Sequence, residues 1–524
     1  MPVTVSYPGL YIEELPLNAH SIAAAPTSVA AFVGYTHPYK TPSDLFGKAT
    51  RISGFSDFEK LYGGLYTSGL LDCHVGRALY QFFLNGGSDA YVVGLKAQLH
   101  DSGGGATDFD APGALFQVSV PTTGGAMLFT GQELADIVKL KVAITNTRPS
   151  SPGGVHDIFD VVVSYGSRIE TYRGVRIGGD PALAPDQQIN GASSLVQVKA
   201  NPGYGTAVTA GVWTLDRPPL PAFSGTFNAN DFIAAFQPNT WLDKVEVFNI
   251  LLTPGVSDNS VLSAALSFAE RKRAFAIIDP PEQAGAEASG ALLAIDDPAI
   301  TSLIPRSQNG AIYFPYLLSA DPVTSTTISV PPSGYVAGVY ARTDTRRGVW
   351  KAPAGLEATV LNTIGPVSTG LVTDPRHGQL NKDAAINVLR AFNGLGTVVF
   401  GARTLVANNE AYPQSTYVPV RRMTLFLEQT LLANLRWVVF EPNDEPLWVA
   451  IRTSIENFML SLFNQGALQG SKPSEAFQVK CDASTTTSDD QANGVVNIVV
   501  AFAPLKPAEF VIIKIAQLAG QTAS

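Results

Sequence analysis

The chain has little charge for its size. Only 15% of its 524 residues are Asp, Glu, Lys or Arg, against 45% apolar residues. Soluble domains ordinarily carry about a quarter charged residues, so the shortfall favours a protein that buries surface against copies of itself. Basic runs interleaved with aromatics are missing and the net charge is −9, which argues against direct nucleic-acid binding. There are only two cysteines, Cys73 and Cys481, too far apart for metal-ligand spacing; they read as reduced thiols. The start, Met1-Pro-Val-Thr-Val-Ser-Tyr-Pro8, lacks a charged segment followed by an apolar one, so no secretory signal is expected. Uninterrupted apolar runs stop short of the ~18 residues of a membrane helix, so no membrane insertion is expected.

Chemistry-bearing motifs are equally scarce. There is no Walker loop and no His-Glu-x-x-His, and Gly394-Leu-Gly396 fails the dinucleotide pattern because the next glycine is Gly401. Asp108-Phe-Asp110 and Gly103–Gly105 read as a solvated turn and a linker rather than cation or phosphate sites. His20, His37, His74, His100, His156 and His377 are scattered, and no Gly-x-Ser-x-Gly elbow marks a nucleophile. No catalytic residue, metal ligand or cofactor site is therefore assigned.

What is present reads as an α/β core. Ser28–Tyr35 is expected as a buried strand, Ser56–Tyr62 as a helix with a Ser56/Glu59 capping box, and Leu70–Phe83 as a helix stopped by Asn85-Gly-Gly87. Val245–Leu252, Ser257–Arg273 and Ala274–Ile278 form a strand–helix–strand unit of a parallel sheet, with a cap from Asp258 or Asn259. Pro331-Pro-Ser-Gly-Tyr-Val-Ala-Gly338 opens another helix with prolines in its first turn. Trp437–Phe440 is expected as a strand. The helix after Pro446 carries Ile451, Ile455, Phe458 and Leu462 on one stripe and ends at Gly466.

Between these parts, residues 98–236 turn rich in Gly, Thr, Ser and Pro, with short β-type runs such as Phe159–Tyr165 and Leu195–Lys199. This is expected to be an all-β insertion. The ends read as extended arms. Val3, Val5 and Tyr7 alternate with polar residues, Leu10 and Ile12 follow, and Phe510, Ile512, Ile513 and Ile515 make a last apolar strand behind Pro504 and Pro507. Neither has a sequence-local strand to pair with. The expected organisation is an arm at 1–20, a discontinuous core at 21–97 and 237–506, the insertion at 98–236, and a second arm at 507–524.

A charged cluster, Arg421, Arg422, Glu428, Arg436, Glu441, Asp444, Glu445, Arg452 and Glu456, is interleaved with Trp437, Phe440 and Trp448. Asp444 or Glu445 serves as a cap before Pro446 on one reading. On the other, Arg421, Arg422, Glu441, Asp444 and Glu445 form pairs between subunits.

Ordered blocks along the chain resemble the contractile tail sheath family. They are Pro8-Gly-Leu-Tyr-Ile-Glu-Glu14, Ser28-Val-Ala-Ala-Phe-Val-Gly34, Gln81-Phe-Phe-Leu-Asn-Gly-Gly-Ser88, Phe159-Asp-Val-Val-Val-Ser-Tyr165, Pro331–Arg342, Gly348-Val-Trp-Lys-Ala-Pro353, Phe400-Gly-Ala-Arg-Thr404, Arg436-Trp-Val-Val-Phe-Glu-Pro442 and Gln465-Gly-Ala-Leu-Gln-Gly470. The resemblance implies a core of subtilisin-like topology with no protease site. It implies terminal arms that each add a strand to a neighbouring subunit's sheet, and stacked six-subunit rings around an inner tube, with baseplate and tail terminator proteins as further partners. Contraction of the sheath would drive the tube through a target membrane. Gln465, Gln469 and Lys472 are implied to face the tube, and the 98–236 insertion to face outward. The implied location is a phage tail or a phage-derived injection particle, assembled in the bacterial cytoplasm. A hydrolase on the same core and a passive tube or surface-layer protein are the alternatives.

Overall fold

The computed structural model describes residues 20–111, 114–149, 157–178, 180–217, 223–282, 304–367, 371–510 and 512–514. The chain divides into two compact units, one of residues 27–346 and 353–418, the other of residues 1–26, 347–352 and 419–524. The sequence reading placed 237–506 in a single core and did not draw this division.

The larger unit is built on an eight-stranded mixed sheet. Its spatial order is Ala49–Ile52, Ala90–Leu95, Ala30–Tyr35, Ile250–Leu252, Phe275–Ile278, Gly310–Phe314, Ile386–Phe392 and Gly396–Val399. The inner pairs are parallel, and only the two edge strands run antiparallel to their neighbours. Parallel strands must be covered on both faces, which explains the near-continuous apolar runs. Ala31 and Val33 join one core with Phe232, Phe236, Leu262 and Phe268 from the helices Ala229–Ala235 and Asn259–Lys272 and the chain next to them. Phe32 points to the opposite face, where it meets Phe82 at 5.5 Å between ring centroids. Tyr313 and Tyr340 share a 2.6 Å hydroxyl hydrogen bond on that side. The helices His74–Leu84 and Ser333–Arg347 supply this second layer.

Those two helices approach closely through glycine. A Cβ at Gly334 would lie 2.3 Å from the Ala78 carbonyl oxygen, and one at Gly338 would lie 2.5 Å from Asn85 Cβ and 2.7 Å from the Phe82 oxygen. Asn85 is fully buried and clasps Leu361, accepting from its N–H at 2.7 Å and donating to its carbonyl at 3.2 Å. Glycine in the Pro331–Arg342 block is thus a packing requirement, not a turn signal.

The strand–helix–strand unit forms as expected, with Ile250 opposite Phe275 and Leu251 opposite Ala276. Asp258 caps the helix by accepting from the Ser260 and Val261 N–H groups at 3.0 and 3.1 Å. The capping box at Ser56 does not form. The helix begins at Phe55, and Asp57 instead reaches back to the Ser53 N–H and hydroxyl at 3.2 and 3.1 Å.

Residues 98–225 hold three antiparallel sheets. These are Arg168–Arg176, Asp157–Tyr165, Leu140–Pro149 and Gly211–Thr214; Val196–Ala200, Gly125–Gly131 and Gln117–Thr122; and Phe223–Gly225, Gln98–Asp101 and Ala106–Asp108. Phe129, Leu140, Val142, Phe159, Val161 and Val163 form their apolar centre. Strict alternation of buried and half-buried residues along Asp157–Tyr165 accounts for its legibility in the sequence. Gly125–Gly131 was not anticipated, because glycines at both ends mask a short strand.

A buried carboxylate ties these sheets to the loop after Ala30–Tyr35. Glu133 is 1% exposed and accepts hydrogen bonds from His37 Nε2 at 3.0 Å, from Arg168 Nη1 at 2.6 Å and from Lys40 Nζ. His37 Nδ1 accepts from the Tyr39 N–H at 3.3 Å, so the neutral ring satisfies both nitrogens. Burial alone would raise the Glu133 carboxyl, but the His37 hydrogen bond and the neighbouring charges hold it down at about 2. Burial likewise pushes the His37 pKa below its ordinary value, against the pull of Glu133.

Candidate functional site

The smaller unit is built from two long helices and a hairpin. Met423, Phe426 and Leu427 on Val418–Asn434 belong to one apolar core with Leu447, Ile451, Ile455, Phe458 and Leu462 on Glu445–Asn464, together with Val479 and Cys481. The second helix is defined at both ends by local chemistry. Asp444 accepts from the Leu447 N–H at 3.1 Å as N-cap, and Pro446 occupies the first turn. At the other end Gly466 takes φ 72°, its N–H bonding Phe463 O at 2.9 Å while the Ala467 N–H bonds Leu462 O at 3.0 Å. That is the Schellman arrangement, and the positive φ is why glycine stands there.

The hairpin pairs Phe477–Lys480 with Val499–Phe502 in a two-stranded antiparallel sheet. The following residues add one bridge, Leu468 to Pro504, and a hydrogen bond from Gln469 N–H to Ala503 O at 2.9 Å. A two-stranded sheet is marginal alone and gains most from added strands. Beyond it the described residues have no regular secondary structure, and Phe510, Ile512 and Ile513 are 70, 83 and 79% exposed. Ile515 and the N-terminal positions Val3, Val5, Tyr7, Leu10 and Ile12 lie outside the described residues.

The base of the N-terminal segment is fixed through side chains. Asn434 bonds both backbone groups of Ala23, accepting at 3.0 Å and donating at 2.8 Å, and Thr430 Oγ1 accepts from the Ala25 N–H at 3.1 Å. His20 stacks on Trp437 at 4.0 Å between ring centroids. This stretch is thus held along one helix without sheet pairing, and no spacing rule would have revealed it.

Arg421 reaches Glu428 at 3.9 Å, and Arg422 is only 3% exposed. Arg452 donates to the Cys481 carbonyl at 3.1 Å. Asp444 is engaged as a cap, while Glu441 and Glu445 stand exposed. Gln465, Gln469 and Lys472 are exposed on the turn after the long helix.

The expected strand Trp437–Phe440 is a correction. Arg436–Val438 is a single 3-10 turn, and Phe440 adopts φ 74°. Among the described residues the run has no partner strand, and its side chains diverge: Trp437 packs on His20 while Val439 and Phe440 are exposed.

In the larger unit, a cavity of about 380 Å³ opens beside Gly34, Tyr35, Asp72, His74, Gly255 and Asp258. Open α/β sheets place ligands at the carboxyl ends of their strands. Two of its lining polar groups face each other, with His74 Nε2 3.7 Å from an Asp72 carboxylate oxygen. Asp258 is the helix cap already described. Asp279, fully buried nearby in sequence to Ile278, accepts from the Gly255 N–H at 2.9 Å and from the Ser333 N–H and hydroxyl at 2.7 and 2.6 Å. Burial raises its pKa to about 6 against the opposing effect of those donors. Ser333 is itself buried, its hydroxyl donated to a carboxylate, so this pair starts a helix rather than presenting a nucleophile. Among the described residues no helix is long and apolar enough to cross a membrane.

The family model for the phage tail sheath protein central domain matches residues 225–405, and that for the phage tail sheath C-terminal domain matches residues 410–517, together more than half of the chain. The chain belongs to the phage tail sheath family. This sheath chain is 25% identical over 264 residues to a prophage major tail sheath protein of Pseudomonas aeruginosa, covering 50% of the chain and 62% of that relative. It therefore spans less than two thirds of that relative's length. Among solved structures it resembles a chain of the anti-feeding prophage baseplate, 6-fold symmetrised, at TM-score 0.58 and 26% identity, covering 98% of this chain and 99% of that one. It also resembles the anti-feeding prophage helical sheath in its contracted state, at TM-score 0.58 and 25% identity over 98% of this chain and all of that one. The two models cover the five later blocks of the sequence resemblance, from Pro331–Arg342 to Gln465–Gly470, and not the four that precede residue 225. The sheath fold is a mixed α/β one with several sheets.

Proposed function

We propose that this chain is the repeating structural subunit of a contractile sheath, polymerising as stacked six-subunit rings around an inner tube and contracting to drive that tube through a target membrane. The observation that carries the reading is the two-stranded sheet of the smaller unit followed by a segment without regular secondary structure whose apolar side chains are exposed. The similarity to a helical sheath in its contracted state supports it. Strand addition from neighbouring arms would satisfy the hairpin's open edges and cover Phe510, Ile512 and Ile513. Val3, Val5, Tyr7, Leu10 and Ile12 supply the strand from the other end, and Ile515 extends the C-terminal one.

The core topology is read as subtilisin-like without a protease site, and residues 98–236 as an inserted module on the outside of the polymer. Glu441, Glu445 and Arg421 are the candidates for charge pairing between subunits. Arg422 is buried and Asp444 is engaged as a cap, so both are weaker choices for that role. Gln465, Gln469 and Lys472 are placed toward the tube. Baseplate and terminator proteins are further partners. The particle is a phage tail or a phage-derived injection system, assembled in the bacterial cytoplasm. Electron microscopy of the purified protein should show striated tubes. Removing residues 1–14 should leave folded subunits that form none; tubes from that truncation would reject strand exchange at the N-terminus.

A further inference from the structure

The cavity beside Gly34 and Gly255 sits where the sheet changes the side of its connections. The chain leaving Ala30–Tyr35 runs on to the helix His74–Leu84 on one face, and the chain leaving the adjacent strand Ile250–Leu252 runs to Asn259–Lys272 on the other. The two connections part at the carboxyl ends of these strands and leave the crevice that open α/β sheets use for ligands. Its volume of about 380 Å³ is within the range of ligand pockets. Three of the lining side chains are aromatic. Phe232 stands edge-on to Tyr35 at 5.2 Å between ring centroids and meets Phe227 at 5.7 Å. The Tyr35 hydroxyl is fixed by donation to Asp231 at 3.0 Å. His74 lines the crevice as well, its ring seated on Gly255: at φ 72° there, a Cβ would lie 2.2 Å from the imidazole Cδ2. Among the described residues the buried His74 Nδ1 has no hydrogen-bond partner, and Nε2 is too far from Asp72, at 3.7 Å, for a direct hydrogen bond. Buried polar atoms are seldom left in that state.

The charge lining the crevice has one sign. Asp72, 76% exposed, and Asp258 line it together with no lysine or arginine. Bonds from the Ser260 hydroxyl and from the Val261 and Ser260 N–H groups hold the Asp258 carboxyl below its ordinary pKa, so it stays ionised. Burial pushes the His74 imidazole below its ordinary value, so at neutral pH it brings no compensating charge. Arg77, one turn along the same helix, is engaged with the Tyr66 carbonyl and the Thr67 hydroxyl at 3.4 and 3.2 Å and lies 3.7 Å from Asp321. Among the described residues no three His, Cys, Asp or Glu side chains converge as metal ligands. Carboxylates pair strongly with guanidinium and ammonium groups, and aromatic faces attract cations. We propose that this crevice binds an organic cation, a guanidinium or primary ammonium head on a short apolar stem. The head pairs with Asp72 beside His74, and the stem lies against Phe227 and Phe232. Such a head comes either as a small free cation or as the arginine or lysine side chain of a second copy of this chain. The site goes beyond the sheath reading and does not depend on it.

The test is a ligand-observed NMR titration of the dispersed subunit with n-propylguanidinium and with its uncharged counterpart, N-propylurea. The cation should bind about tenfold more tightly or better. Asp72→Asn should abolish that preference. The Asp72 side chain is largely in solvent, so the change removes charge without removing packing. Asp44→Asn, at an acid 72% exposed that lies outside the crevice lining, should leave the preference intact. Equal binding of the two compounds overturns the proposal. So does a preference that survives Asp72→Asn, one lost equally in Asp44→Asn, or tighter binding of n-propylphosphonate than of the cation. Repeating the titration on assembled tubes separates the two sources. Binding that persists assigns a free cation, and binding lost on assembly assigns a neighbouring subunit's side chain. The titration of dispersed subunits needs no polymer, so its failure leaves the sheath reading standing, and a failure to form tubes leaves the cation site standing.

Discussion

Gly338→Ala sets two known effects against each other. Alanine is the better helix former by about 1 kcal/mol, so in open space the change would stabilise Ser333–Arg347. Here the new methyl would lie 2.5 Å from Asn85 Cβ and 2.7 Å from the Phe82 carbonyl oxygen, and neither can rotate away. Relieving that overlap forces the helix off His74–Leu84, an overpacking cost of about 1–3 kcal/mol. It also disturbs the two buried bonds between Asn85 and Leu361, adding roughly 1 kcal/mol. The net expectation is destabilisation by about 1–3 kcal/mol. Gly76→Ala is the control: its Cβ would meet the Cys73, Leu65 and Phe58 side chains at 3.0–3.2 Å, and side chains can yield. It should be close to neutral. Urea unfolding of dispersed subunits, followed by tryptophan fluorescence, measures both. If Gly338→Ala gains the full helix-propensity increment, the close helix contact is refuted.

Further outcomes follow from the buried acids and the helix cap. Asp279 has a folded pKa raised to about 6 from 3.8, so its contribution to stability is complete below pH 3.8 and is lost as pH rises through 6; the difference amounts to about 3 kcal/mol. The pH dependence of unfolding in that window should flatten in Asp279→Asn, and an unchanged slope would count against it. Glu133 works in the opposite sense: depressed to about 2 from 4.5, it stabilises above pH 4.5 and that stability fades as pH falls through 2, again about 3 kcal/mol. Glu133→Gln should increase hydrogen exchange in 117–200 before it affects the eight-stranded sheet; uniform loosening of both would contradict the local tie. Asp444→Ala should cost about 1 kcal/mol and fray the start of Glu445–Asn464, visible as faster exchange at Leu447.

The comparison of sequence with structure turns on distance along the chain. The helix Glu445–Asn464 was legible because its cap, first-turn proline, apolar stripe and terminal glycine all lie within 23 residues, Asp444 to Gly466. The unit Ile250–Ile278 was legible for the same reason, as was the alternation in Asp157–Tyr165. The run Trp437–Phe440 was misread because apolar content alone does not tell a strand from an exposed turn.

By itself the sequence determined these local elements, the absence of recognisable catalytic motifs and, through blocks in a fixed order, the family. Tertiary structure alone decided the strand order of the central sheet, the use of Gly334 and Gly338 to seat one helix on another, the meeting of His37, Lys40, Arg168 and Glu133, and the exposure of Phe440. The physical reason is that caps, periodicity and turns act between residues a few positions apart, so their spacing is written in the chain. Close packing and buried ion pairs join residues up to some 260 positions apart, Gly334 and Ala78 among them, and take effect only once the intervening chain has folded.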